Sequence, residues 1–278
     1  MDNLRPLLTT YAYNITGSLE DSKDIVQDAF LKFMQIDTER IENKKAYLVR
    51  TVINLAINQK NRQQKLVDSY PGHWLPEPVA TESADTILNR KEVLSYSLMV
   101  LLEKLNPKER AVFILKEAFD YDHEEIAEVL ELSIENSRKL LSRAKSKLHE
   151  PTPEVEKAVP ANFLSKYLDV IRNGDTSRLE QLLHDDIFVI SDGGGKAVAF
   201  RKMVSGISRV FRLMSGLMQK YYIGKRIELG VVNHQPALFV YENEKLATVQ
   251  VIIIEDGKVA KLYFMRNPDK LKNLKENS

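Results

Sequence analysis

The stretch DYDHEEIAEVLELSIENSRKLLSRAKSKL, residues 120–148, gathers the groups best suited to hold a polyanion. Asp122 followed by Glu125 reads as an N-cap with its capping-box partner. They open a short helix whose apolar face is Ile126, Ala127, Val129 and Leu130. A turn follows around Glu131–Ser133, and a second helix is expected to bury Ser137, Leu140, Leu141, Ala144 and Leu148. Its other face presents Glu135, Asn136, Arg138, Lys139, Ser142 and Arg143. Five Lys/Arg and one acid lie between Ser133 and Lys147. Laid in a major groove, Arg138, Lys139 and Arg143 reach phosphates or guanine edges, and Asn136 and Ser142 are short enough to read bases. The plainer alternative is a helical hairpin with a solvated basic face. The preceding LNPKERAVFILKEAF shifts the balance toward a DNA reader. Asn106 caps, Pro107 takes the first helical position and Glu109 completes a capping box, so a compact helical body precedes the hairpin.

Two further groupings stand out. In AYLVRTVINLAINQKNR, residues 46–62, the apolar face is Tyr47, Leu48, Thr51, Val52, Leu55 and Ala56. Opposite it Arg50, Asn54, Asn58 and Arg62 recur every four residues as one polar ridge. Toward the C-terminus His184, Asp186, Asp192, Tyr222 and His234 are available for acid–base work, but nothing in their spacing requires catalysis. Asp192-Gly193-Gly194-Gly195-Lys196 follows a predicted strand and lacks the Gly-Lys-Ser/Thr ending of a phosphate loop. It reads as a glycine turn.

The elements that hold these groups follow from pattern and composition. The chain has 278 residues, enough for two domains or three small ones. Apolar residues are 44% and charged residues 28%, a globular composition. There is no cysteine, which excludes disulfides, thiolate zinc and a Cys nucleophile. No metal centre and no cofactor is expected. No stretch is apolar enough to span a membrane and no secretory leader is evident, so a cytoplasmic location is expected. Net charge is +1: residues 1–150 hold 21 Lys/Arg against 24 Asp/Glu, and residues 151–278 hold 19 against 15. DNA contact must therefore be local, or a second protein must supply much of the affinity.

Residues 68–86 and 149–160 carry three prolines each and read as linkers. They leave segments 1–67, 87–148 and 161–278. The first two are helical throughout: in 24–34 Ile25, Val26, Ala29, Phe30, Phe33 and Met34 form one helix face. The third opens with helices at 163–174 and 177–183 and has another around 201–220. The strands DIFVIS, RIELGVV, ALFVYE, LATVQVIIIE and KVAKLYFM complete it. Asp256-Gly257 and Asn243 mark hairpin turns, so an antiparallel meander in an α+β domain is predicted.

Taken in order, these motifs resemble the bacterial extracytoplasmic-function sigma factors. DSKDIVQDAFLKFM is similar to their region 2.2, usually DAEDLVQETFLRLW. AYLVRTVINLAINQKNRQQK is similar to region 2.4, usually AWLYRIARNLAIDRLRR, and residues 105–148 are similar to region 4. Trp74-Leu75-Pro76-Glu77-Pro78, the Asp192–Lys196 turn and Asn267-Pro268-Asp269-Lys270-Leu271 resemble the sigma-J-type subgroup, with its fused SnoaL-like, nuclear-transport-factor-like cone.

The resemblance implies two all-α sigma domains followed by an α+β cone. It implies an alternative sigma factor that brings RNA polymerase to promoters. Asp24, Gln27, Asp28, Leu31 and Lys32 would dock on the β′ clamp helices. The ridge Arg50, Asn54, Asn58 and Arg62, with Lys44 and Lys45 near its loop, would read the −10 element. Asn136, Arg138, Lys139, Ser142 and Arg143 would read the −35 element. The cone would act as a regulatory tail through Trp74 and residues Asp192, Gly193, Gly194, Gly195 and Lys196, with no separate anti-sigma protein required. The competing expectation is a helix-turn-helix regulator with a ligand-sensing or enzymatic cone.

Overall fold

The computed structural model describes residues 2–37, 41–67, 69–82, 87–148 and 161–274. The expected linker 149–160, and residues 68 and 83–86 of the first linker, lie outside the described residues. The chain forms two compact units, Met1–Asp68 with Thr81–Thr152, and Ser69–Ala80 with Pro153–Ser278.

The described part of the first unit is helical. α1 (Arg5–Thr16) ends at Gly17 in the left-handed conformation, and α2 (Leu19–Met34) starts where Ser18 accepts the Asp21 N–H. Ile25, Val26, Ala29, Phe30 and Phe33 are buried as their period demands, but Met34 is 69% exposed, because α2 ends there. α3 (Lys44–Val67) buries Leu48, Val49, Val52, Ile53, Ala56 and Ile57. That stripe is turned about one residue from the predicted one, and Tyr47, Thr51 and Leu55 are only half-buried. The helix has apolar residues for two overlapping stripes, and packing against α1, α2 and later helices selects between them. α4 (Tyr96–Leu101) and a 3-10 turn, Leu102–Lys104, lead into α5 (Pro107–Glu117). α6 (His123–Leu130) and α7 (Ile134–Leu148) complete the unit. Both expected capping boxes form, at Asn106/Glu109 and Asp122/Glu125.

The second unit is α+β. α8 (Ala161–Asn173) and α9 (Thr176–Leu182) precede β1 (Leu183–Asp192) and the short β2 (Val204–Ser205). α10 (Ile207–Leu217) runs on into a single π turn, Met218–Tyr222. β3 (Arg226–Val232), β4 (Gln235–Glu242), β5 (Lys245–Glu255) and β6 (Lys258–Met265) form the predicted antiparallel meander. Their turns use paired positive-φ residues at Asn233-His234, Asn243-Glu244 and Asp256-Gly257, which suits the right-handed twist of hairpins. α11 (Pro268–Leu271) follows β6 directly. The sheet order is β2-β1-β6-β5-β4-β3, and β1 pairs with β6 in parallel. That pairing joins residues some 70 positions apart, which local alternation cannot specify. Tyr167, Ile171, Val210 and Met214 of α8 and α10 are buried in one core with Val189, Leu238, Ile252 and Leu262 of the sheet.

Candidate nucleic-acid interface

The α6–α7 hairpin is fixed from within. Glu131 adopts φ 54 to end α6, and the Leu132 N–H donates to the Ala127 carbonyl at 2.9 Å. His123 Nδ1 lies 2.9 Å from the Ser137 hydroxyl, bridging the two helices. Burial of His123, with Arg138 and Lys116 nearby, holds its pKa below the ordinary 6.5. Ser137, Leu140, Ala144 and Leu148 are buried, and Leu141 is half-buried. Asn136, Arg138, Lys139, Ser142 and Arg143 are all exposed on the opposite face. The bases of α7 divide into two sets. Lys145 and Lys147 pair back to Glu117 and Glu109 of α5, whereas among the described residues Arg138, Lys139 and Arg143 meet no carboxylate. A fixed helix with three uncommitted cations matches a phosphate backbone in charge.

The ridge on α3 is less free. Arg50 pairs with Glu131, and the Asn54 amide donates to the Val129 carbonyl at 3.4 Å, both at the end of α6. Asn58 and Arg62 are exposed. Beside the ridge lies a concavity of about 460 Å³ lined by Lys32, Tyr47, Arg50, Thr51, Asn54, Leu55 and Asn58. An aromatic ring and two amides there can stack on and hydrogen-bond a flat heterocycle. Lys44 and Lys45 are exposed at the start of α3. Asp24, Gln27, Asp28, Leu31 and Lys32 form one exposed face of α2, with Leu31 at 46% exposure.

A buried ionic junction joins the first helical segment to the second. Lys60 is 2% exposed and donates to both Glu103 oxygens, at 2.9 and 2.8 Å, and to the Thr16 carbonyl at 3.1 Å. Arg110, fully buried, pairs with Glu103 and donates from Nε to the Asn14 carbonyl at 3.0 Å. Burial pushes the Glu103 carboxyl up, but Arg110 and Lys60 outweigh it and hold the group below its usual value. Sequence reading missed this cluster. The available signal was a lysine at position 60, where region 2.4 usually carries leucine, in phase with Ala56 and Ile57.

In the second unit Asp192 is fully buried. It accepts from the Tyr70 hydroxyl at 2.6 Å, the Leu75 N–H and the Gly194 N–H at 2.9 Å each, and Lys270 Nζ at 2.7 Å. Burial and the Asp192 charge push the Tyr70 phenol up, so it remains a donor. Lys270 also donates to the Leu75 carbonyl, and its ammonium lies 4.0 Å from the Trp74 ring centroid. Further along, Val79 and Asn233 exchange two hydrogen bonds at 3.0 Å, and Asn273 donates to buried Glu77 at 2.7 Å. Ser69–Ala80 is thus strapped to the domain at both ends.

The glycines between are positions of close approach rather than slack. Gly194 has φ +59, and a Cβ there would lie 2.2 Å from Asn267 Nδ2; one on Gly195 would lie 2.8 Å from Pro71. Lys196 forms only an exposed ion pair with Asp269. The acid–base candidates do not converge. Asp192 is committed to the strap, and Tyr222 is buried donating to Gln250 at 2.9 Å. Half-buried His184 and exposed Asp186 sit near the start of β1, and His234 lies in the β3–β4 turn, with three strands between β1 and β3.

Comparison with known proteins gives these features a lineage. Residues 1–66 match the Sigma-70 region 2 family and residues 95–148 match Sigma-70, region 4. The chain is 32% identical over 284 aligned residues to the ECF RNA polymerase sigma factor SigJ of Mycobacterium tuberculosis, covering 96% of this chain and 90% of the relative. It is 26% identical to a probable ECF RNA polymerase sigma factor, SigI, of the same organism, covering 98% and 93%. The crystal structure of the M. tuberculosis SigJ superposes with a TM-score of 0.79 at 29% identity, over 98% of this chain and 97% of that one. The helical pair is that of a sigma-70-type transcription factor. Within that class the chain belongs to the extracytoplasmic-function sigma factors.

Proposed function

We propose that this protein directs bacterial RNA polymerase to promoters by reading the −35 element with α7 and the −10 element with α3. The second unit sets its activity by holding the segment that joins the two readers. The observation that carries this reading is the capped α6–α7 hairpin, presenting Arg138, Lys139 and Arg143 uncommitted behind a region 2 body. The near-zero net charge fits a factor whose DNA affinity comes mostly from the core enzyme. Leu31, an exposed apolar residue among Asp24, Gln27, Asp28 and Lys32, suits docking on the β′ clamp helices. An unstacked −10 base would lodge in the concavity against Tyr47, Asn54 and Asn58.

The arrangement of the first unit is a resting form on this reading. The end of α6 engages Arg50 and Asn54, so the hairpin must leave α3 before the ridge can read DNA. The second unit is regulatory rather than catalytic, since its acid–base groups are committed or dispersed, and it takes the place of a separate anti-sigma protein. Run-off transcription with bacterial core polymerase tests the first claim: initiation downstream of a −35/−10 promoter is expected, and its absence with every core and promoter tried refutes it. Removal of residues 161–278 is expected to alter output. Unchanged output, together with turnover of a small substrate by the second unit, would favour the enzymatic alternative.

A further inference from the structure

Between Asp192 and Glu228 the chain carries eight Lys/Arg and no Asp or Glu, although its net charge is only +1. Folding neutralises the bases at the ends of this segment: Lys196 pairs with Asp269, Lys225 with Glu242 and Arg226 with Glu228. The five in the middle, Arg201, Lys202, Arg209, Arg212 and Lys220, are exposed, and among the described residues none meets a carboxylate. Arg209 and Arg212 stand one turn apart on α10 and share its solvent face with Ser208. Arg201 and Lys202 lead into β2 immediately before that helix. The opposite face of α10 buries Val210 and Met214 in the domain core, so Arg209 and Arg212 sit on a rigid support.

We propose that this face is a third nucleic-acid contact, which grips the phosphate backbone of duplex DNA without reading its sequence. Uncompensated like charges repel one another, and five exposed cations within twenty residues of chain, two of them side by side on one helix face, fit a polyanion. Three of the five are arginines, whose planar fork suits phosphate oxygens. The character matches that of Arg138, Lys139 and Arg143 on α7. The inference rests on the reading that the chain works at promoter DNA within the polymerase.

The absence of cysteine makes Ser208→Cys a single attachment point for an iron chelate. In holoenzyme assembled on a promoter fragment, radicals released at position 208 are expected to cut the DNA at a few localised positions. An intact fragment, or cuts confined to polymerase subunits, would overturn the proposal. In parallel, the full-length variant R201Q/K202Q/R209Q/R212Q is expected to flatten the dependence of holoenzyme–DNA affinity on salt. Each lost phosphate contact lowers the log–log slope by about 0.9, so a fall of about 2 to 4 is expected. The charge-preserving R201K/R209K/R212K should keep the slope, and an unchanged slope in the glutamine variant also overturns the idea. Run-off product from the Ser208→Cys holoenzyme separates the two readings: product without cuts sinks only the third contact, whereas no product sinks the promoter reading itself.

Discussion

Each unit of this protein is organised around a carboxylate with a lysine on it, and the two are built differently. Asp192 receives two backbone N–H groups, one from its own turn and one from the strap, besides Tyr70 and Lys270. Two of its four partners are backbone N–H groups, and the strap cannot leave without giving up the Tyr70 and Leu75 hydrogen bonds to a buried carboxylate. Glu103 is held by two long side chains, Lys60 and Arg110, each of which also caps a carbonyl near the end of α1. No backbone N–H need break when that junction opens, and all three charges regain water. Buried ion pairs contribute little net stability because desolvation offsets attraction, so such a junction can separate at modest cost. One acid anchors and the other joins. This fits the proposed role, in which the second unit holds the connecting segment while the region 4 hairpin leaves α3.

Removing each acid should have the largest effects. Asp192→Ala leaves Lys270 buried without its anion and the Leu75 N–H unpaired, and is expected to destabilise the second unit by about 3–5 kcal/mol in chemical denaturation. Proteolytic cleavage within 69–80 should rise with it; an unchanged midpoint would mean that the strap is held elsewhere. Glu103→Gln faces two buried cations with a neutral amide and should loosen the junction by about 2–3 kcal/mol. Amide exchange of α5 should accelerate while the second unit stays protected, and promoter output should increase. If α5 protection is unchanged, the junction does not hold the two readers together. Gly194→Ala strains the turn at the anchor. Positive φ and the approach of Asn267 together are expected to cost about 1–2 kcal/mol, read as a lower unfolding midpoint.

The smallest effect concerns the hairpin. His123 has a depressed pKa, so the unfolded chain binds its proton more readily than the folded one. Its contribution is present above about pH 6.5 and declines as pH falls below that value. Thermal midpoints at pH 7.5 and 5.5 should differ by about a degree or two more for the native chain than for His123→Gln. Equal differences would remove His123 from the account.

The helix-turn-helix was legible because its signals are local: two capping boxes, an apolar period of 3.6 and a basic face all lie within about 45 residues. The meander was legible for the same reason, through Asp256-Gly257 and Asn243. The stripe on α3 was read one residue off, since its sequence supports two faces and only the neighbouring helices choose. The parallel β1–β6 pairing, and Lys60 meeting Glu103, depend on residues dozens of positions apart.

The one-dimensional order of residues thus determined the helices of regions 2 and 4, the exposed cations of α7 and the α+β character of the C-terminal unit, because periodicity and capping act over a few turns of chain. Tertiary structure alone decided that the glycines after Asp192 are packed against Asn267 and Pro71, that Arg50 and Asn54 are engaged by α6, and that a half-buried acid between two buried cations joins region 2 to region 4. Those outcomes turn on burial and charge pairing between distant segments, and the strength of such contacts is set by the surroundings that folding creates.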